Sequence, residues 1–181
     1  TGVQTCALPI FNTISLDPIL VHMHLPGGDW QDCLGIYDAI KTSKSKVIVV
    51  ASAKVESSSS VLLQAADLRI LTQNTNFLIH YGSISVDNEH KAALSMVQWS
   101  EKESEKMIEI FTEKCINSSI SKEKNWKRMI VRKHIVSQLA TKRDWILTAE
   151  EAVRYGFADG ILGTKKYPNI DYIKNLMKKL K

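Results

Sequence analysis

The apolar residues in the first half of the chain form short continuous runs, separated by segments in which apolar residues recur at helical spacing. The run 47–51 is continuous and rich in valine, which is typical of a parallel strand buried on both faces. These patterns predict strands over 19–25, 47–51, 68–71 and 76–80, and helices over 30–42 and 58–66. Strands that alternate with helices favour an α/β fold with parallel strand pairing.

The second half of the chain is predicted to be mainly helical. Residues 87–116 form one long amphipathic pattern, in which apolar side chains share a face and charged residues fill the other positions. Residues 117–121 interrupt this pattern, and 122–140 predict a further helical region. Thr148 and Glu151 have the spacing of a capping box that opens a short helix. No linker or internal repeat divides the chain, so we predict a single domain.

Length and composition agree with a soluble globular protein. The chain has 181 residues, of which 44% are hydrophobic and 24% charged. No apolar run approaches the ~20 residues that a membrane helix needs, and no secretory signal pattern is present. Cys33 and Cys115 have neither the spacing of a metal site nor that of a disulfide framework. We therefore expect a cytoplasmic protein that has no membrane partner.

The net charge of +5 comes from the C-terminal tail. Residues 165–181 contain six lysines and a single acidic residue, while the rest of the chain is balanced. Apolar residues recur at helical spacing in this tail, which predicts a basic amphipathic helix. No basic stripe or aromatic platform accompanies the lysines, so we expect no nucleic-acid partner.

We interpret the first ten residues as foreign to the natural protein. Residues 1–10 resemble the in-frame translation of a sequencing-library adapter, and we exclude them from fold reasoning as one would an expression tag. On that interpretation the natural sequence begins near Phe11 and lacks its own N-terminus. The predicted organisation is then a domain over 11–164 followed by the tail 165–181.

Four serines, Ser57 to Ser60, lie where the buried strand is predicted to pass into a helix. A serine there gains the helix dipole and nearby N–H groups, although serine is also a common helix N-cap. Gly27 and Gly28 allow close approach of a ligand to the backbone, or make a plain Pro-Gly turn. His80 ends a strand and Asp144 follows an arginine; each has a structural interpretation as well. Together the four features are the parts of a serine hydrolase.

These residues resemble the proteolytic subunit of the Clp protease, and more closely its phage-encoded relatives, over about 19–162. The motifs that carry the resemblance are Pro26-Gly27-Gly28, Leu62-Leu63-Gln64-Ala65-Ala66, Phe77-Leu78-Ile79-His80 and the block from Arg143 to Gly160. The resemblance implies an α/β fold of the type shared by this family and the crotonases, with repeated strand-turn-helix units and a protruding handle helix.

The resemblance also implies the role of each candidate residue. Ser57 is identified as the nucleophile, His80 as the general base and Asp144 as the residue that orients the histidine. The backbone N–H groups of Gly28 and Ser58 would form the oxyanion hole. The same likeness implies no cofactor and no metal.

A homo-oligomer is implied as well, built of stacked heptameric rings that enclose the sites and contact each other through the helix 87–116. The partners would be protein or peptide substrates and an AAA+ unfoldase. His22 and His24 share one strand face, which is compatible with a metal site, but no third ligand accompanies them and we expect them on the exposed face of the strand.

The leading functional hypothesis is a serine endopeptidase of the Clp type, which in a phage would process head or scaffold proteins. The alternative is a catalytically silent shell or scaffold subunit, because Glu56 before the nucleophile and Ser58-Ser59 after it depart from the family's usual residues. A crotonase-type acyl-CoA enzyme is a third hypothesis, since it shares the general fold, but it gives no reason for the block around Asp144.

Overall fold

The computed structural model describes residues 15–85, 87 and 89–179. The segment 1–10, which we interpret as adapter-derived, lies outside the described residues. The strands are β1 (Ile19–Leu25), β2 (Val47–Glu56), β3 (Leu68–Leu71), β4 (Asn76–Ile79), β5 (Trp145–Leu147) and β6 (Gly160–Ile161). The helices are α1 (Trp30–Lys41), α2 (Ser58–Leu63), α3 (His90–Cys115), α4 (Ser119–Glu123), α5 (Arg128–Lys142), α6 (Ala149–Arg154) and α7 (Ile170–Lys178). The predicted α/β class is confirmed.

The strands form one six-stranded sheet in the order β5-β4-β2-β3-β6, and β1 also pairs with β2. Every pairing is parallel except that of β4 with β5. The central strand β2 continues to Glu56, beyond the predicted end at residue 51. It is longer because its first half pairs with β3 whereas Lys54–Glu56 pairs with β4. Ala53 adopts a positive φ of 54° between the two halves, where the strand changes partner.

The alternating faces of β2 build two apolar layers. Val47 and Val49 face a large core that includes residues of α1, α2, α3 and α5. Ile48 and Val50 face a smaller core, which Ile173 and other residues of α7 cover. All four β2 residues are buried, as the continuous valine-rich run predicted.

The amphipathic helix predicted in the tail is present as α7, which buries Ile173 and Met177.

Two predicted helical boundaries are wrong. The helical region predicted over 122–140 includes only the last two residues of α4, which begins within the predicted break, and α5 begins at Arg128. The two helices are separate because Asn125 has a positive φ of 51° that a continuous helix cannot contain. The helix predicted over 58–66 ends at Leu63, where tighter backbone hydrogen bonds from Ala65 and Ala66 close it. The capping box of Thr148 and Glu151 is confirmed, with both reciprocal hydrogen bonds present.

An ion pair between Arg69 and Asp159 joins β3 to the segment that leads into β6. Arg69 donates to Asp159 through Nη2 at 2.6 Å and through Nε at 3.0 Å. Its Nη1 also donates to the Gln64 side chain and to the Gly156 carbonyl, at 2.7 Å and 3.0 Å. Arg69 is 8% exposed. This buried network ties the end of α2 to the C-terminal part of the sheet.

No helix among the described residues is both long and apolar enough to cross a membrane.

Replacement of Arg69 by methionine should lower the free energy of unfolding by about 3 kcal/mol, because it leaves the Asp159 carboxylate without its cation in a mostly buried position. Chemical denaturation at a fixed protein concentration measures this loss. The matched control is Lys46→Met, which breaks the exposed pair with Asp67 and should cost below ~1 kcal/mol. Equal losses in the two variants would contradict the stabilising role of the Arg69 network.

Candidate active site

Ser57 lies at the sharp turn between β2 and α2. Its φ is 58°, a left-handed conformation that residues other than glycine seldom adopt and that functional sites often contain. The Ser57 N–H donates to the Leu78 carbonyl of β4 at 3.0 Å, so the sheet pairing holds the turn in place. The hydroxyl is thereby fixed at the edge of the sheet where β2 and β4 end.

His80 and Asp144 reach the same edge through the register of the sheet. Glu56 pairs with Leu78 in the parallel β2–β4 ladder, so the residues that follow these two strands lie side by side. The antiparallel ladder pairs Ile79 with Trp145, which brings the residue before Trp145 next to the residue after Ile79. Positions separated widely in sequence are therefore adjacent in space.

The three side chains form a continuous hydrogen-bonded chain. His80 Nε2 lies 2.7 Å from Ser57 Oγ, and His80 Nδ1 lies 3.1 Å from Asp144 Oδ1. An imidazole between a hydroxyl and a carboxylate can accept the hydroxyl proton while the carboxylate stabilises the charged ring. Asp144 pairs with the histidine in this arrangement, and not with the neighbouring Arg143.

Gly27 approaches Ser57 so closely that no side chain fits. Its φ is +105°, and a Cβ on it would lie 2.7 Å from Ser57 Cβ and 2.8 Å from the Glu56 carbonyl oxygen. A Cβ built on Gly28, by contrast, meets no atom within 4 Å. Gly28 and Ser58 both line the cavity that adjoins Ser57.

Ser58 also uses its hydroxyl, which the sequence reasoning did not foresee. The Ser58 Oγ donates to the Gly28 carbonyl at 3.1 Å and so ties the glycine turn to the start of α2. The Ser58 carbonyl in turn accepts a hydrogen bond from the Cys33 thiol at 3.0 Å. Burial raises the pKa of the Cys33 thiol to about 11, which keeps it protonated as a donor.

The two remaining serines of the run are buried and hydrogen-bonded to the backbone. Ser59 Oγ lies 2.8 Å from the carbonyl oxygens of both Leu25 and Glu56. Ser60 Oγ donates to the Ser57 carbonyl at 2.6 Å. The run is therefore no solvated polar turn, because its buried hydroxyls are hydrogen-bonded to backbone carbonyls around the strand-to-helix turn.

The Glu56 carboxylate, which departs from the usual residue of the resembled family, has a partner of its own. It lies 3.6 Å from the Lys54 ammonium on the same strand. The positive charge of Lys54 therefore offsets the negative charge that Glu56 places next to Ser57.

An aromatic cluster supports the strand that carries Asp144. Trp145 contacts His134 of α5 edge-on with a ring separation of 6.0 Å, and Tyr155 stacks on His134 at 5.7 Å. Trp145 and Tyr155 also contact each other, with a ring separation of 5.0 Å. The Tyr155 hydroxyl also lies 3.1 Å from His134 Nε2. Burial lowers the pKa of His134, and the nearby Lys124 lowers it further, so the ring is favoured in its neutral form.

His22 and His24 lie on the exposed side of β1, as their spacing predicted. The structure places His24 Nδ1 3.0 Å from the Ser52 carbonyl oxygen. No group of three or more histidine, cysteine, aspartate or glutamate side chains within the described residues could hold a metal ion.

A cavity of about 380 Å³ opens beside Ser57 and His80. Its lining includes residues that the sequence reasoning missed, among them Trp30 of α1 and Glu103 of α3. Glu103 belongs to the long helix that the sequence identified only by its amphipathic pattern. In the sequence Glu103 is one of several charged residues on the polar face of this helix, and no local pattern separates it from the others.

The fold and these contacts define an α/β protein with a serine–histidine–aspartate arrangement at a sheet edge. The family described as Clp protease matches residues 8–165. The chain therefore belongs to the Clp protease family. The agreement covers nearly all of the sheet and its helices.

Named relatives and a solved structure agree with this assignment. The ATP-dependent Clp protease proteolytic subunit 2 of Pseudomonas aeruginosa is 30% identical over 88% of this chain and 73% of the relative. The subunit 2 of Mycobacterium leprae is 29% identical over 84% of this chain and 67% of its own. A ClpP1 point mutant from Listeria monocytogenes superposes with a TM-score of 0.69 at 22% identity, over 90% of this chain and 83% of that one. This last likeness shows the fold.

Replacement of Gly27 by alanine should displace Ser57, because the new Cβ collides with the Ser57 Cβ and the Glu56 carbonyl. We expect the rate at which a fluorophosphonate probe labels Ser57 to fall about 100-fold, since small displacements of reacting groups cost that much. The control is Gly35→Ala, at an exposed helix position with no atom within 4 Å. Normal labelling of the Gly27 variant would contradict the close contact.

Proposed function

We propose that this protein is a serine endopeptidase of the Clp type, in which Ser57, His80 and Asp144 hydrolyse peptide bonds. The observation that carries the proposal is the position of the His80 ring, with one nitrogen 2.7 Å from Ser57 Oγ and the other 3.1 Å from Asp144. Membership of the Clp protease family supports the same chemistry.

In the proposed reaction, Ser57 Oγ attacks the peptide carbonyl carbon while His80 Nε2 accepts the hydroxyl proton. The N–H groups of Gly28 and Ser58 stabilise the negative charge that develops on the carbonyl oxygen. His80 then donates its proton to the leaving amine, the carbon–nitrogen bond breaks, and an acyl-enzyme ester remains on Ser57. A water molecule, deprotonated by His80, hydrolyses that ester and restores the serine.

The departures around Ser57 favour an active enzyme over a silent shell subunit. Glu56 is paired with Lys54, and the hydroxyls of Ser58 and Ser59 bond to backbone carbonyls. None of these groups competes with Ser57 for His80. The unusual residues thus have structural partners and leave the Ser57–His80 contact intact.

Removal of the proposed nucleophile or base should abolish peptidase activity. We expect Ser57→Ala and His80→Ala each to lower kcat by about 10⁶-fold, and Asp144→Asn by about 10⁴-fold, because the three groups act as a unit. Hydrolysis of fluorogenic peptides and labelling by a fluorophosphonate probe measure the loss.

The matched control for this experiment is Ser95→Ala. Ser95 is an exposed serine of α3 whose hydroxyl only donates to the Lys91 carbonyl, so its loss should leave activity and labelling unchanged. A wild-type protein that labels no more than Ser57→Ala would contradict the endopeptidase proposal and favour the silent shell subunit.

We further propose that the protein works as stacked heptameric rings. Leu94 and Val97 are 50% and 41% exposed on the first half of α3, where apolar side chains are suited to contact a second copy. The names of the relatives describe ATP-dependent proteases. By analogy, an AAA+ unfoldase would deliver unfolded protein substrates to the enclosed sites.

Sedimentation velocity at micromolar concentration tests the assembly. We expect the wild-type protein to sediment as a large oligomer, and Leu94→Asp together with Val97→Asp to shift it to smaller species, because buried charges oppose the contact. Lys102→Gln, an exposed change on the same helix, is the control. A wild-type protein that is only monomeric would contradict the ring proposal.

A further inference from the structure

The cavity beside Ser57 has apolar walls from three helices. Trp30 of α1, Val61 of α2 and Met107 of α3 all line it. Its volume of about 380 Å³ lies in the range of ligand pockets and accommodates a large side chain. Because Ser57 and His80 border the same cavity, the side chain next to the bond under attack is the part of a substrate most directly placed to enter it.

One wall of this cavity carries the carboxylate of Glu103. The Glu103 side chain is only partly exposed, and its Oε1 accepts a hydrogen bond from Trp99 Nε1 at 2.7 Å. The same oxygen accepts a hydrogen bond from the Gln31 side-chain amide of α1. These two donors hold the carboxylate in one orientation, and both of them are neutral.

Glu103 differs in this respect from other carboxylates of the same helix. Three glutamates of α3 form ion pairs with arginines of α5; they are Glu105 with Arg132, and Glu109 and Glu113 with Arg128. No ion pair within the described residues includes Glu103. The nearby Lys106 ammonium lies instead over the Trp99 ring, 5.6 Å from its centre.

A partly buried carboxylate without a cation is electrostatically unsatisfied, because neutral donors do not neutralise its charge. Asp29 adds a second carboxylate to the cavity lining, where its Oδ1 caps α1. Apart from His80, the cavity is lined by no basic side chain within the described part of the chain. The field inside it therefore favours a positive charge.

We propose that this cavity selects lysine or arginine as the residue on the amino side of the cleaved bond. The inference rests on the proposed endopeptidase function and names its substrate class. The aliphatic stem of such a side chain packs against Trp30, Val61 and Met107, while its cation pairs with Glu103. An acidic side chain is rejected by like charge, and an aliphatic one leaves the carboxylate desolvated without a cation.

The test compares fluorogenic peptides that differ only in the residue before the cleaved bond, which is lysine, leucine or glutamate. For the wild-type protein we expect kcat/KM to be at least about tenfold higher for lysine than for leucine, and lowest for glutamate. Glu103→Gln preserves the size of the side chain and an oxygen for Trp99 and Gln31, and should reduce the lysine-to-leucine ratio about tenfold. Glu103→Met should invert it.

The matched control is Glu101→Gln, which removes an exposed carboxylate of the same helix outside this cavity and should leave the ratio unchanged. Fluorophosphonate labelling of Ser57 is measured in parallel on every variant. A protein that labels at Ser57 but cleaves leucine peptides as fast as lysine peptides overturns the specificity inference alone. A protein that neither labels nor cleaves any peptide overturns the endopeptidase function, and the specificity with it.

Discussion

The pairing of β2 with β4 is the constraint on which the rest of the site depends. β2 changes partner at Ala53, so that its last residues run beside β4 and end at the same edge. The Ser57 N–H bonds to the Leu78 carbonyl across this pairing and fixes the turn in its left-handed conformation. Because β5 then adds to β4 in the antiparallel direction, the side chain of Asp144 is delivered to His80. Two registers that share β4 therefore set the three positions.

The strained turn is stabilised by buried polar groups in place of apolar packing. Ser58 donates its hydroxyl to the glycine turn, Ser59 bonds to carbonyls of β1 and β2, and Ser60 donates to the carbonyl of Ser57 itself. These bonds give the buried hydroxyls and the carbonyls of the turn partners within the protein, and an unsatisfied buried polar group would cost about 1–3 kcal/mol. The run that departs most from the resembled family thereby supports the geometry that the proposed chemistry requires.

Much of the fold was predictable because its signals are local. The buried strand 47–51, the capping box at Thr148 and the amphipathic tail helix depend on short-range patterns, and the structure contains all three. One failure came where a distant partner decides the outcome. The second half of β2 lacks the continuous apolar pattern of the first, and it is a strand because β4 and the end of β1 pair with it. The break at Asn125 is a local failure, because its positive φ separates α4 from α5 within a segment that the sequence predicted to be helical.

The sequence by itself determined which residues were candidates at the site, because a serine after a buried strand, a glycine pair, a histidine at a strand end and a later aspartate are recognisable in order. It could not determine their distances, since these depend on strand register between segments far apart in the chain. Nor could it separate Glu103 from the other charges of its helix. Only the packing of α1 and α3 around the cavity decided that Glu103 lines it beside the proposed nucleophile, while Glu105, Glu109 and Glu113 pair with α5.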